Sequence, residues 1–185
     1  MKTLVRMLVL CLVVPAGITS AQDKPAQEKP AFTPENPLST WNKFAYATVK
    51  GILPKSAEKM PEENYGFKPT PEVRSFGQIV GHVADAQYMF CSTALGEKNP
   101  APGIEKSKTT KADLVQALND AFAYCDKAYN GMTDAHAAEM VKMFGQERAK
   151  LTVLAFNAAH DFEHYGNLVT YMRMKGLVPP SSEGR

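Results

Sequence analysis

The chain has 185 residues, with a formal charge of +2 and 44% hydrophobic residues, which is enough apolar material for one domain with a true core. Basic residues barely outnumber acidic ones and form no cluster at either end, so the charge pattern excludes an electrostatic nucleic-acid binder. Three cysteines with no C-x-x-C pair exclude a dithiol redox motif.

The first 21 residues have the pattern of a secretory signal. Lys2 and Arg6 supply the positive start, Met7 to Ala16 is a short apolar run, and Thr19-Ser20-Ala21 ends in small residues suited to cleavage after Ala21. An apolar run of about ten residues is too short to span a bilayer. Leu10 before Cys11 argues against a lipid anchor, and there is no twin arginine. The expectation is a secreted or periplasmic protein without a stable membrane anchor. Losing Lys2 and Arg6 would leave the mature chain formally neutral.

Residues 22–37 hold Pro25, Pro30, Pro34 and Pro37 among polar residues and read as an extended linker. A domain is predicted over 38–180. Its first helix opens with Ser39 or Thr40 as N-cap, and Trp41, Phe44, Ala45, Thr48, Val49 and Ile52 follow at helical spacing. Pro54 should kink or loosen it. Residues 62–72 read as a loop. Ser75 caps a second helix, Phe76 to Leu95, with His82, Ala86, Met89 and Thr93 on one face, Gln78 and Asp85 flanking it, and Cys91 on the opposite side.

Residues 96–109 form a polar connection long enough to cross the length of a bundle. A third helix runs from Thr110 to Asn130-Gly131 through Leu114, Ala117, Leu118 and Ala121. Residues 132–145 read as a loop, with His136 solvated in it. The fourth helix, Lys150 to Gly176, carries the row Val153, Asn157, His160, His164, Asn167 and Tyr171, flanked by Leu154, Phe156, Leu168 and Met174. Residues 181–185 read as a disordered tail. With no period-two runs and no repeat, the fold class is all-α: a four-helix bundle. Cys91 and Cys125 would form a disulfide stabilising the fold by about 3–4 kcal/mol, or remain two buried thiols.

His160 and His164 lie one turn apart on one helix face. A polar stripe on a largely buried helix needs partners, and a metal ion would satisfy two imidazoles at once. With His82, three of the four histidines fall on inward faces, the ligand set of an open metal site. The set suits zinc or nickel first, and also iron or copper. Asp85 and Glu163 are the candidate acid–base residues, able to orient an imidazole or move a proton, or else to form surface ion pairs. His160-x-x-Glu163-His164 also fits an inverted zinc-protease motif, but the chain beyond His164 offers only Glu183 as an acidic ligand.

Three stretches, Pro61-Glu62-Glu63-Asn64-Tyr65-Gly66-Phe67-Lys68-Pro69, Val73-Arg74-Ser75-Phe76-Gly77-Gln78-Ile79-Val80-Gly81-His82 and His160-Asp161-Phe162-Glu163-His164-Tyr165-Gly166-Asn167, resemble the DinB-like superfamily of damage-inducible proteins. The resemblance spans Trp41 to Pro180. It implies an up-down-down-up four-helix bundle, with the long crossover between the second and third helices, and a divalent metal held by His82, His160 and His164. Relatives often continue the histidine pair with Arg-Gly-Gln, where this chain has Tyr165-Gly166-Asn167. Some relatives are transferases or isomerases that use a cytoplasmic thiol. Three functions follow as expectations: an exported metal-dependent hydrolase of an unidentified small molecule; a thiol-dependent S-transferase or isomerase; or a non-catalytic metal- or ligand-binding stress protein. Apolar outer faces would suit a homodimer.

Overall fold

The computed structural model describes residues 35–184. The proposed leader, its cleavage site and most of the proline-rich segment lie outside the described residues.

Four long helices dominate: α1 (Pro37–Lys50), α3 (Phe76–Leu95), α5 (Lys111–Gly131) and α7 (Lys150–Met174). Three shorter ones, α2 (Leu53–Lys59), α4 (Ile104–Ser107) and α6 (Asp134–Ala137), sit between them, with two antiparallel strands, β1 (Met140–Met143) and β2 (Gln146–Ala149). Helix α3 packs on both α5 and α7, and α1 on α7 and α5. Phe76, Phe90, Leu118, Phe122, Leu154, Leu168 and Met172 are fully buried between them. Burying such side chains is the main stabilising term, about 1.5–3 kcal/mol each. No helix among the described residues is long and apolar enough to cross a membrane.

Helix α3 has the expected bounds. Ser75 Oγ accepts from the Gln78 amide, while the Gln78 side chain accepts from the Ser75 amide, a complete capping box. Gly96, at φ 71°, ends the helix in the left-handed region. The residues before it are tied to its first turn: the Gly77 amide donates to the Tyr65 carbonyl and the Phe76 amide to that of Phe67. Tyr65 also packs edge-on to Phe76.

Several expectations need correction. Neither Ser39 nor Thr40 caps α1. Pro37 takes its first position, and the free amides of Leu38 and Ser39 donate to the Asp134 carboxylate, brought from α6. Pro54 does not kink a continuous helix; the chain breaks at Gly51 and α2 restarts with Pro54 in its first turn. The fold is not purely helical, because residues 140–149 form a hairpin. Both strands are mostly exposed, so no apolar–polar alternation marked them. Phe144 and Gly145 take positive φ at its tip, which suits asparagine and glycine better than phenylalanine. Nor is the tail loose over its described residues. Residues 180–182 form a 3₁₀ turn, the Ser181 amide donates to the Tyr165 hydroxyl, and Lys59 pairs with Glu183.

Cys91 and Cys125 are disulfide-bonded, joining α3 to α5 with Cα atoms 5.3 Å apart and both residues fully buried. Cys91 faces α5 and His82 faces α7, so the bridge and the histidines occupy opposite sides of α3.

Candidate metal centre

The row Asn157, His160, His164 on α7 splits into two polar groups. The first is deep. Asn157 Nδ2 donates to Gln87 Oε1 and to the Tyr129 hydroxyl, while Gln87 Nε2 donates to Asp161 Oδ2 at 2.5 Å. Gln87, Asn157 and Asp161 are all completely buried. Burial drives the Asp161 carboxyl well above the usual carboxylate range, with the Gln87 hydrogen bond opposing. Part of the polar stripe therefore finds protein partners, while Asn157 Oδ1 and Asp161 Oδ1 stay buried without one. Gln87 and Asp161 were not read as structural partners from sequence. Their pairing spans α3 and α7, and no local spacing signals it.

The second group is the histidines. His160 Nε2 lies 3.2 Å from His82 Nε2 and 3.0 Å from His164 Nε2. One nitrogen of each ring comes within 4.8 Å of the other two. An imidazole nitrogen offers either one N–H or one lone pair. His160 Nε2 faces two neighbours, so hydrogen bonding alone satisfies at most one contact well. A cation accepting all three lone pairs satisfies them together. Two nitrogens bound to one tetrahedral ion at about 2.0–2.1 Å sit about 3.4 Å apart, close to the spacing here. The donor set therefore fits a divalent metal.

The surroundings keep the rings neutral. His160 and His164 are pulled down to about 4, each first by burial; His160 is then affected by the charges of His164 and His82, and His164 by those of His82 and Arg74. His82 is lowered as well, by burial and then by Arg74, with Glu105 opposing. Neutral imidazole is the form that ligates.

His82 Nδ1 lies 3.3 Å from Glu105 Oε2, and the other carboxylate oxygen accepts from Arg74 Nε at 2.8 Å. Holding the proton on Nδ1 leaves the Nε2 lone pair facing the other rings. Glu105 was missed from sequence because residues 96–109 read as a featureless connection. In fact α4 forms there, and Asp85 builds it: its carboxylate accepts from the amides of Gly103, Ile104 and Glu105 at 2.7–2.8 Å. Asp85 thus places Glu105 against His82 and does not itself reach the rings with a free oxygen pair. Glu163, the other acid–base candidate, is exposed and lines an open cleft of about 570 Å³ with His164, Arg74, Glu105, Asn167 and Tyr171. His136 sits on α6, largely exposed and away from the cluster.

A model of the DinB superfamily matches residues 45–168. The chain belongs to the DinB superfamily. The match takes in all three clustered histidines, the whole of α3 and α7 as far as residue 168. An uncharacterized protein of Bacillus subtilis (strain 168), YjoA, is 24% identical over 135 residues, covering 71% of this chain and 86% of YjoA. The crystal structure of a DinB-like protein from Bacillus cereus ATCC 10987 is similar with a TM-score of 0.64 at 17% identity, covering 75% of this chain and 93% of that one. That of Bacillus subtilis YjoA gives 0.63 at 19%, covering 78% and 99%. At these identities the structural likeness speaks for the DinB-like fold.

The lowered imidazoles have a measurable consequence in chelator-treated protein. Unfolded histidines protonate near 6.5, while folded His160 and His164 resist until about 4. Their contribution is complete above 6.5 and is lost as pH falls from 6.5 towards 4. Asp161, raised by burial, acts in the opposite sense, contributing most at low pH. The imidazole part is isolated as the difference between wild type and His160→Ala plus His164→Ala. Melting temperatures from pH 7.5 to 4 should fall more steeply in wild type than in the variant; parallel profiles would refute the assignment.

Proposed function

We propose that this protein is an exported, metal-dependent hydrolase of a small molecule, with His82, His160 and His164 as the ligands and zinc or nickel as the metal. The observation that carries the reading is the convergence of three neutral Nε2 atoms beside an open polar cleft. Three imidazoles with a position left open are the ligand pattern of catalytic zinc, and nickel accepts the same donors. A divalent ion there would supply Lewis-acid polarisation of a carbonyl and lower the pKa of a water.

The chain's own groups have separate tasks. Glu105 holds His82 in one tautomer, and Arg74 holds Glu105. Asp85 is a positioning residue, acting through α4. Glu163, beside His164 on α7, lines the cleft as Glu72 does and is placed to carry a proton to or from a bound substrate. Export is supported by the leader pattern of residues 1–21 and agrees with a disulfide in the core. We read the bundle as up-down-down-up, with the connection holding α4 as the crossover.

Protein purified without a histidine tag should carry one divalent ion by elemental analysis. It should turn over members of an ester panel without added thiol, and a chelator should abolish that turnover. Turnover only with a thiol and an electrophile would replace the hydrolase with an S-transferase. A metal-loaded protein inert in both panels would mark a binding protein.

A further inference from the structure

A second cleft, of about 800 Å³, adjoins the one at His164 and shares Lys68, Arg74, Gln78 and Glu105 with it. Lys106 and Lys108 also line it. The four cations come from two segments: Lys68 and Arg74 from the loop before α3, Lys106 and Lys108 from the end of α4. Elsewhere, Lys50, Lys59 and Lys150 each meet a carboxylate. In this groove the one lining carboxylate is Glu105, already engaged by Arg74 and His82. The Lys68, Lys106 and Lys108 side chains make no hydrogen bond or ion pair among the described residues; the Lys108 amide donates to the Ile104 carbonyl in the backbone. Glu72 and Glu163 line only the cleft at His164.

Three uncompensated ammonium groups converging on a concave wall raise the local potential and favour an anion. The Ser75 and Thr109 side chains add hydroxyls to the same wall. The Arg74–Glu105 pair forms the border, so a molecule seated in the groove can extend past it to His82 and His164. We propose that this groove seats the anionic end of the substrate, a small molecule bearing two or more negative charges as carboxylate or phosphate, whose scissile bond lies at the three histidines. The inference rests on the hydrolase reading for the bond that is broken, but the anion site itself does not need it.

The test is titration calorimetry on the metal-loaded full chain with succinate, glycerol 3-phosphate and propionate. Either dianion should bind about tenfold or more tighter than propionate, because each extra ammonium–oxyanion contact is charge-assisted. Succinate against glycerol 3-phosphate tells which oxyanion is preferred. Lys68→Ser combined with Lys106→Ser and Lys108→Ser should weaken the better dianion by about tenfold or more, with metal content and helical circular dichroism unchanged. All three lysines are exposed, so the variant is expected to fold. Equal binding by variant and wild type, no saturable binding of either dianion, or tighter binding of a single-stranded oligonucleotide at the same site would overturn the proposal. Failure of the hydrolase reading shows separately, as a missing metal or an inert ester panel, while the lysine-dependent binding persists.

Discussion

His82→Ala, His160→Ala and His164→Ala should each cost about 100-fold or more in metal affinity, while His136→Ala should leave it unchanged. Loss of a mere supporting group behind a ligand costs about 10–100-fold, so loss of a ligand sets the higher floor. The three rings converge from two helices, His82 from α3 and the pair from α7, so no two of them substitute for the third. Glu105→Gln should fall between, at about 10–100-fold, because Nδ1 of His82 loses a charged partner but Nε2 keeps its place. Competition titration against a chelator of known affinity measures all five proteins on one scale. Equal loss in every histidine variant, His136→Ala included, would show a folding defect and not a ligand set. Unchanged affinity in all of them would remove the centre altogether.

Gly81→Ala should destabilise the fold by about 1–3 kcal/mol and weaken metal binding about tenfold, although residue 81 touches no ligand atom. A Cβ there would lie 2.8 Å from the Glu105 Cα and 3.3 Å from its backbone nitrogen. Both obstacles are backbone, so no side-chain rotation relieves the clash. Helix α4 cannot simply tilt away, because Asp85 holds the amide of its N-cap Gly103 and its first two amides. Adding a methyl group therefore either breaks those bonds or carries Glu105 away from His82. The glycine is required for close approach of two helices, since its own backbone is ordinary helix. Denaturant midpoints and metal titrations on the same variant separate the two effects. A folded Gly81→Ala protein with wild-type metal affinity would show that Glu105 does not support His82.

The family-like stretches have a plain physical content. Pro61 to Pro69 ties the segment before α3 onto that helix's first turn through the Tyr65 and Phe67 carbonyls, and its Lys68 lines the cleft at His164. Val73 to His82 brings Arg74, the cap, the close-approach glycine and the first of the clustered histidines in one run. The departure at Tyr165-Gly166-Asn167 is in part structural: the Tyr165 ring is buried and its hydroxyl receives the Ser181 amide. Asn167 lies near His164 Nδ1 and lines the cleft, so it takes up a position beside the site.

Legibility followed the range of the forces involved. The long helices were readable because apolar spacing, Ser75 and Thr110 caps and the stop at Gly96 act within a turn or two of chain. The histidine pair was readable because four residues on a helix is a fixed geometry. Helix α4 was not, since its cap and first two residues are held by a carboxylate 18–20 positions away. The hairpin was not, since its strands bury too little to alternate. Phe156 and Met174 were expected to support a buried helix and are exposed, because α7 turns only one face inward.

By itself, then, the amino-acid sequence determined a predominantly helical domain, its long helix ends, and a set of three histidines on two of those helices. These are consequences of local periodicity and capping, which hold wherever the helices are packed. Only the tertiary structure decided that His82 Nε2 meets His160 Nε2 at 3.2 Å, that Asp85 holds the start of α4, that Glu105 stands behind His82, and that lysines from two distant segments share one wall. Those facts depend on how α3, α4 and α7 dock, and docking is settled by burial over the whole core rather than by any spacing along the chain.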